Sequence, residues 1–303
     1  MAIPRLARKE LKHRETVKAS TTTGLEAFLG EPGGTVDLEI YDIVFEGLVA
    51  QDPGEEGVYL VESGSRVRLT VGGRAYCRWH TGSLDRRDNV LERRYCNVTA
   101  DTKGGYCLKH SRTYRALYDR CVGTGGEYAL EACRKVEEKI KIPMGLYLVD
   151  RGLEKYKTGV SRSWRLEDRI AEQPHVVASI LSRGLGLVES RELEMNLSQH
   201  HNIQQLTKRT DPKTVLEHNP EKRLPLLYGV VKSLGLTVKP EFLTVRPRYE
   251  ELWVRAPVLK EPPEGVFRLV DYWGSYLLLE GGEGYVLLPF RLIQHIDTLT
   301  QLS

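Results

Sequence analysis

The 303-residue sequence lacks several features that would place it in a common functional class. It has no apolar run near the ~20 residues of a membrane helix. Residues 1–20 are basic and lack the apolar centre of a secretory signal. A glycine-rich phosphate loop, a nucleophile elbow and a Cys-x-x-Cys pair are missing too. These absences argue against membrane, P-loop or dinucleotide-binding, serine-hydrolase and thiol-redox functions, and they predict a cytoplasmic protein.

Composition is ordinary for a globular protein, with 41% hydrophobic and 28% charged residues. The net charge of +3 says little about partners, so the distribution of charge matters more. Asn and Gln are few beside Arg, Glu and Leu, which is a hint of a thermophile. The length suggests two or three domains. We predict five segments: 1–30, a basic N-terminal extension; 31–76, β strands; 77–141, a zinc module with following helices; 142–210, an α/β core; 211–303, a β-rich domain.

The first segment carries seven basic side chains before residue 19. Such a leader can lie against phosphates or form a solvated, partly ordered tail, and the sequence does not decide between the two. The strand-like patterns that follow from Thr35 predict a small antiparallel β unit.

Three of the five cysteines fall within residues 77–110, which we call the Cys/His segment. Cys107 and His110 form a C-x2-H pair, as do Cys77 and His80, and Cys96 lies between the pairs. Zinc prefers four sulfur or nitrogen ligands in a tetrahedron, and a short pair on a turn supplies two of them. The run from Cys96 to His110 resembles small Cys3His zinc motifs that end in Tyr-Cys-x-x-His. We therefore predict a structural zinc site made of Cys77, Cys96, Cys107 and His110, with His80 as the substitute ligand if Cys96 is a buried thiol. The alternative is a set of buried free thiols.

The Cys/His segment is also basic and aromatic. Guanidinium groups suit phosphates, and aromatic faces suit unpaired bases. Trp79, Tyr95, Tyr106 and Tyr114 are interleaved with the basic residues, although aromatic residues beside zinc ligands are also common in small cores. We predict that six basic residues of the Cys/His segment and two arginines of the core contact nucleic acid. They are Arg78, Arg86, Arg87, Arg93, Arg94 and Lys109 in the segment, and Arg162 and Arg165 in the core.

Residues 111–140 are predicted to be helical, with a break near 123–126. Cys121 and Cys133 lie in this stretch, twelve residues apart. We interpret them as buried thiols, with a disulfide as the alternative in a hyperthermophile.

The stretch 144–200 predicts a compact α/β unit of two strands, 145–150 and 156–160, and two helices, 164–172 and 189–199. Tyr147 falls in the middle of the first strand, and Glu194 lies beside an apolar helical stripe, where carboxylates can hold metal ions. His200 and His201 point to different faces of a helix, so we interpret them as helix-end polarity rather than as a chelating pair.

The order of short motifs in this stretch resembles the GIY-YIG nuclease core. The sequence GLY at 145–147 is followed by KTG at 157–159, then by Arg169 and Glu194. More narrowly, YKTGVSR, DRIAEQ and LEMNLSQH are similar to an uncharacterised domain-of-unknown-function family that joins a Cys/His zinc motif to a degenerate GIY-YIG-like core. The resemblance covers roughly residues 74–207, and more weakly the C-terminal strands.

The resemblance implies roles for individual residues. Tyr147 takes the place of the first motif's tyrosine, Arg169 that of the phosphate-facing arginine, and Glu194 that of the glutamate that binds Mg²⁺ or Mn²⁺. Lys157 stands where the second motif has a tyrosine, and no asparagine matches the last position of the family's site. A phosphodiester hydrolase needs an activated water, a metal and charge stabilisation together. The core therefore has three interpretations: a nuclease, a surface that binds a nucleic-acid backbone, or a scaffold.

The C-terminal part is predicted to hold one helix within 214–235 and then short strands, including FLTVRPRY and ELWVRAPVL, in a small barrel or half-barrel. The fold expected for the whole chain is α+β. The expected function is binding of structured RNA, ribosomal RNA or tRNA, with a metal-dependent endonuclease or a protein-interaction scaffold as alternatives. The sequence does not indicate the oligomeric state.

Overall fold

The computed structural model describes residues 1–22, 34–153, 156–199, 203–205, 210–236 and 239–302. His200 and His201, interpreted above as helix-end polarity, lie outside these ranges. The protein is α+β, as predicted. No helix within the described ranges is long and apolar enough to cross a membrane.

The strands, in chain order, are β1 (Ile3–Ser20), β2 (Thr35–Gln51), β3 (Tyr59–Glu62), β4 (Arg66–Leu69), β5 (Met144–Asp150), β6 (Tyr156–Arg162), β7 (Val177–Leu185), β8 (Ile203–Gln204), β9 (Glu241–Arg246), β10 (Gly265–Trp273), β11 (Tyr276–Gly281), β12 (Gly284–Pro289) and β13 (Leu299–Gln301). The α-helices are α1 (Tyr114–Gly123), α2 (Glu127–Glu137), α3 (Leu166–Ala171), α4 (Leu187–Leu197), α5 (Pro212–Leu216), α6 (Pro220–Ser233) and α7 (Glu250–Arg255).

The chain divides into two compact units, each made of segments distant in the sequence. The first unit contains Met1–Glu10, Val44–Ile140 and Pro247–Ser303, and the second contains Leu11–Ile43 and Lys141–Arg246. The five consecutive segments predicted from the sequence do not coincide with these two compact units. The division of the chain into those five domains stays a prediction.

The second unit is built around β5, every residue of which is buried. β5 pairs antiparallel with β6 on one side and with β7 on the other. The sheet continues from β7 through β9, β2 and β1, with β2 parallel to β9, and from β6 to the short parallel strand β8. A strand buried on both faces needs an unbroken apolar sequence, which MGLYLV supplies.

The first unit has an antiparallel sheet in the order β12-β11-β10-β4-β13. Gly274 and Ser275 both have positive φ, at 59° and 66°, and they form the two-residue turn between β10 and β11. Strand β4 brings part of the predicted N-terminal β unit into the sheet of the C-terminal strands. Its companion β3 pairs instead with residues 47–50 of β2.

The basic leader forms strand β1, which corrects its interpretation as a partly ordered tail, while contact with phosphates stays a prediction. Ala2 and Ile3 are buried, and they fix the start of the strand. Farther along, basic side chains of β1 face acidic side chains of β2, and such cross-strand pairs favour the strand over a free tail. These pairs are Arg8–Glu46, His13–Glu39, Arg14–Asp42 and Lys18–Asp37.

The strand predicted for ELWVRAPVL was wrong in its first half, which lies in helix α7, whereas Val258 in its second half forms a β-bridge with Leu287. Trp253 and Ala256 are buried while Val254 and Arg255 are not, which is helical spacing rather than alternation. The Trp253 indole donates a hydrogen bond to Asp271 Oδ2 at 3.1 Å, and this buried bond holds the helix on the sheet. The helices predicted at 111–140 are confirmed as α1 and α2, with the break at Thr124–Gly126.

Cys121 of α1 and Cys133 of α2 form a disulfide, which corrects the prediction of two buried thiols. The two helices pack against each other and bring the Cα atoms to 4.9 Å. That distance suits a disulfide, but it depends on how the helices pack, which the spacing of the cysteines does not reveal.

Acid is expected to destabilise the second unit through His175, which is fully buried between α3 and β7. Its Nδ1 bonds the Gln173 carbonyl oxygen at 2.8 Å, and its Nε2 accepts from the Val245 amide at 3.2 Å, so the neutral ring is satisfied on both sides. Burial lowers the pKa of His175 from 6.5 to about 4. Since only the unfolded chain takes up a proton between these values, up to about 3 kcal/mol of stability is lost as pH falls through this window.

Denaturant unfolding of the wild type and a His175→Gln variant, measured from neutral pH down to about pH 4, checks this prediction. The wild type should lose more stability on acidification than the variant does. Equal acid sensitivity in both proteins would show that another group is responsible.

Candidate metal centre

The Cys/His segment holds its four predicted ligands through local turns and isolated β-bridges rather than through long elements. Tyr76 bridges to Thr99 and His80 to Tyr95, and these bridges bring Cys77 and Cys96 to neighbouring strand-like segments. The amides of His110 and Ser111 both donate to the Cys107 carbonyl oxygen, forming a turn that leads into α1. The C-x2-H spacing thereby places Cys107 and His110 on one turn.

The structure brings Cys77, Cys96, Cys107 and His110 together, with all four ligand atoms within 4.8 Å of one another. The Cys107 sulfur lies 3.3 Å from His110 Nδ1 and 3.9 Å from the Cys96 sulfur. The Cys77 sulfur is 3.7 Å from the same imidazole nitrogen. Sulfurs bound tetrahedrally at ~2.3 Å from one ion are separated by roughly 3.8 Å, so these four atoms can hold a metal ion.

All four ligands are buried. Burial raises the pKa of the Cys77 thiol to about 12 and raises that of Cys96 as well, while it lowers the pKa of His110, helped by the charge of Lys109. Without an ion, burial therefore favours the neutral forms of the Cys77 and Cys96 thiols and of the His110 imidazole. An ion would have to displace the thiol protons, and the resulting thiolates are its ligands.

His80, the substitute ligand, lies outside this cluster. Its Nδ1 accepts the Gly82 amide at 3.0 Å in a tight turn, and its ring packs on Tyr95 with centroids 4.9 Å apart. Trp79, its neighbour, stacks on the ligand His110 with centroids 4.2 Å apart and an interplanar angle of 5°. This stack fixes the plane of the His110 ring.

Sequence reasoning missed Arg5, a buried cation beside the cluster. Its guanidinium donates to the carbonyl oxygens of Cys77 at 2.9 Å and Cys96 at 2.8 Å, and to Gln51 Oε1 at 2.7 Å from Nε. It also lies 5.1 Å from the centroid of the Tyr95 ring. Arg5 thus joins the backbones of two ligands that are distant in sequence. Burial lowers its pKa to about 10, so the side chain stays charged at neutral pH.

The predicted nucleic-acid contacts fall into two groups. Several are engaged within the protein: Arg93 forms a bidentate pair with Asp88, Arg165 pairs with Glu172, and the buried Arg162 lies 4.4 Å from the Trp164 ring centroid. Arg78 donates to the Gly104 carbonyl oxygen and lies 3.9 Å from Asp119.

The second group is exposed. The side chains of Arg86, Arg94 and Lys109 have no hydrogen bond or ion pair within the described ranges. Arg87 is exposed as well. These residues therefore give the Cys/His segment a cationic surface that solvent or an anionic partner can reach.

In the core, Tyr147 is buried and its hydroxyl accepts a hydrogen bond from Gln173 Nε2 at 2.6 Å. A Cβ at Gly159 would collide with the same hydroxyl, which explains the glycine of KTG by close packing of β6 against the ring. Tyr147 is therefore a core residue of the hairpin whatever else it does.

Lys157 is partly buried on β6, and its side chain has no hydrogen bond or ion pair with a described residue. Burial, together with the charges of Arg169 and Arg151, lowers its pKa to about 8. Arg169 also lies 3.2 Å from Glu172. Three cations near one buried position form a site of positive potential.

Glu194 is buried and forms an ion pair with Arg191, three residues before it on α4. Within the described ranges it belongs to no group of three or more acidic, cysteine or histidine residues able to hold an ion. The structure thus gives the glutamate a partner, and it does not add ligands for Mg²⁺ or Mn²⁺.

Comparison of the chain with protein-family models, curated proteins and solved structures finds no match in any of the three. The resemblance to the GIY-YIG core and to the domain-of-unknown-function family therefore stays a prediction. What the structure itself defines is an α+β protein with a buried Cys3His cluster.

Proposed function

We propose that this protein is a zinc-containing RNA-binding protein whose metal centre shapes a basic surface. The observation that carries the proposal is the Cys3His cluster flanked by Arg86, Arg94 and Lys109, exposed cations whose side chains form no hydrogen bond or ion pair in the described part of the chain. Fixed cations of this kind neutralise phosphates and release counterions, which is the main source of affinity for nucleic acid.

Zinc is the ion that suits the cluster best. Three thiolates and one imidazole form a ligand set that zinc accepts as a closed tetrahedron. The protein supplies all four ligand atoms, so no position is left for a water or a substrate. The centre therefore has a structural role, holding together a segment that contains little regular secondary structure.

RNA is favoured over duplex DNA as the partner. The exposed cations of the Cys/His segment lie on turns, and no helix there offers a row of side chains for a major groove. RNA-binding modules commonly combine fixed cations with aromatic side chains that stack on unpaired bases. Structured RNAs of the cytoplasm, ribosomal RNA or tRNA, present both the phosphates and the unpaired bases that such modules bind. Lys157, Arg151 and Arg169 offer a second cationic site in the core.

The endonuclease alternative rests on Tyr147, Arg169 and Glu194. The ion pair of Glu194 with Arg191 weighs against it, because a metal would have to compete with a buried arginine. The scaffold alternative predicts no salt-dependent affinity for nucleic acid. The buried disulfide fits the thermophile interpretation, since intracellular disulfides are common in hyperthermophiles.

Reversing two charges tests RNA binding. The double variant Arg94→Glu, Lys109→Glu is expected to bind ribosomal RNA at least about tenfold more weakly than the wild type, and the slope of log Kd against log salt should fall by about 2. Fluorescence anisotropy with a labelled ribosomal RNA fragment, measured over a range of salt concentrations, gives both quantities.

The matched control reverses Arg291 and Lys260, two exposed cations of the first unit that lie outside the Cys/His segment. We expect the control variant to bind as the wild type does. Salt-independent binding, or an equal loss in both variants, would contradict a specific basic surface.

A further inference from the structure

A pocket of about 430 Å³ opens beside the metal cluster, within the first unit. Cys96, Cys107 and His110 form part of its wall, so the pocket is held in place by the same centre that holds the segment. Its volume lies within the range of small-molecule sites. No feature of the proposed structural zinc centre requires such a space.

One wall of the pocket is apolar and aromatic. Trp79 lines it, fixed by its stack on His110, and so do Val98 and Leu108. The latter two are 49% and 73% exposed, so two apolar side chains face water at the same place. Exposed apolar groups that gather at a pocket mark a binding site. Tyr95 and Tyr106, by contrast, are buried and cannot stack on a ligand.

The polar groups of the pocket separate into two kinds. Arg94 and Lys109 supply positive charge. Glu56, Asp101 and Asn97 supply oxygens, and the Asn97 amide nitrogen is fixed by donation to the Gly54 carbonyl oxygen at 2.9 Å. Two carboxylates disfavour a phosphate inside the pocket, but they accept hydrogen bonds from an amino group. A ligand that is flat and apolar on its faces, amino-bearing on its edge and anionic outside satisfies all of these groups.

We infer that this pocket takes one unpaired base of RNA that carries an exocyclic amino group, with the flanking phosphates on Arg94 and Lys109. The inference rests on the proposed RNA-binding function and specifies the part of the RNA that is recognised. Trp79 offers a ring for stacking, the carboxylates and Asn97 accept from the base edge, and the two cations hold the backbone.

The test compares a short blunt RNA duplex with the same duplex carrying one bulged cytidine, which has an amino group, or one bulged uridine, which has none. The wild type should bind the cytidine bulge about tenfold more tightly than the plain duplex, a difference of about 1.4 kcal/mol, because the bulged base can stack on Trp79. The uridine bulge should gain less. Leu108→Ser, a change at an exposed position that adds no charge beside Lys109, should abolish the preference for the cytidine bulge.

Val71→Ser is the matched control, because Val71 is 59% exposed in the same unit and does not line the pocket. It should keep the preference. Equal affinity of the wild type for all three RNAs would overturn the pocket inference and leave the proposed RNA binding standing, as would an intact preference in Leu108→Ser. Failure to bind any of the RNAs would overturn the proposed function and the inference together.

Discussion

Replacing Cys107 by serine is expected to release the metal and to lower the free energy of unfolding by on the order of 5 kcal/mol. Cys107 faces both the Cys96 sulfur and the His110 imidazole, and its carbonyl oxygen organises the turn that carries His110. With one sulfur missing, the remaining ligands are buried polar groups without an ion to bind. The segment between Cys77 and His110 has only a short 3-10 helix, Val90–Glu92, and little else to hold it.

Zinc analysis by mass spectrometry and denaturant unfolding measure the two parts of this prediction. The control variant carries Cys121→Ser with Cys133→Ser, which removes two cysteines without touching the cluster. Loss of this disulfide should cost about 3 kcal/mol and leave the metal content unchanged. Wild-type stability and metal content in the Cys107→Ser variant would contradict a structural metal centre.

The second large effect is expected from Arg5→Met, a change of similar length without charge. It leaves the carbonyl oxygens of Cys77 and Cys96 and the Gln51 amide oxygen without their donor. Each buried acceptor left unpaired costs ~1–3 kcal/mol, so we expect a loss of about 3–5 kcal/mol. Zinc with three thiolates and a neutral imidazole carries a net charge of −1, which the buried guanidinium offsets. Removing it should therefore weaken the centre itself.

The rate of zinc transfer to a chelator separates this role from general destabilisation. We expect Arg5→Met to release zinc at least about tenfold faster than the wild type under conditions where both proteins are folded. Arg8→Met, on the same strand, removes only a partly exposed pair with Glu46 and should change neither stability nor release by much. Equal release rates in the Arg5 and Arg8 variants would show that Arg5 does not support the centre.

The sequence predicts the ligand cluster because its chemistry is local. Cys107 and His110 lie on one turn, Cys96 is eleven residues away, and their types and spacing indicate a tetrahedral site. The preference for Cys96 over His80 rested on the resemblance of residues 96–110 to small Cys3His zinc motifs. The sequence also predicts the buried strand β5, because an unbroken apolar run is typical of a strand that is covered on both faces.

What the sequence could not predict depends on contacts between distant residues. Arg5 is 72 and 91 positions from the two carbonyl groups to which it donates. From the sequence it was therefore interpreted only as one of the basic residues of the N-terminal extension. That leader is a strand because β2 supplies acidic partners across from it. Helix α7 was mistaken for a strand because its short apolar run does not distinguish the two periods. The hydrogen bond from Trp253 to Asp271, which holds the helix on the sheet, joins residues that are distant in the sequence. Which arginines stay exposed is likewise set by their neighbours, as Asp88 shows for Arg93.

The most direct test of the metal centre, on which the proposed function depends, is zinc K-edge X-ray absorption of protein purified without added metal. We predict one zinc per chain with three sulfur neighbours at ~2.3 Å and one nitrogen neighbour at ~2.0 Å. The Cys107→Ser variant, purified in the same way, should hold little or no zinc. A spectrum with only oxygen and nitrogen neighbours, or protein that holds less than about half an equivalent of zinc, would contradict the centre and the surface built on it.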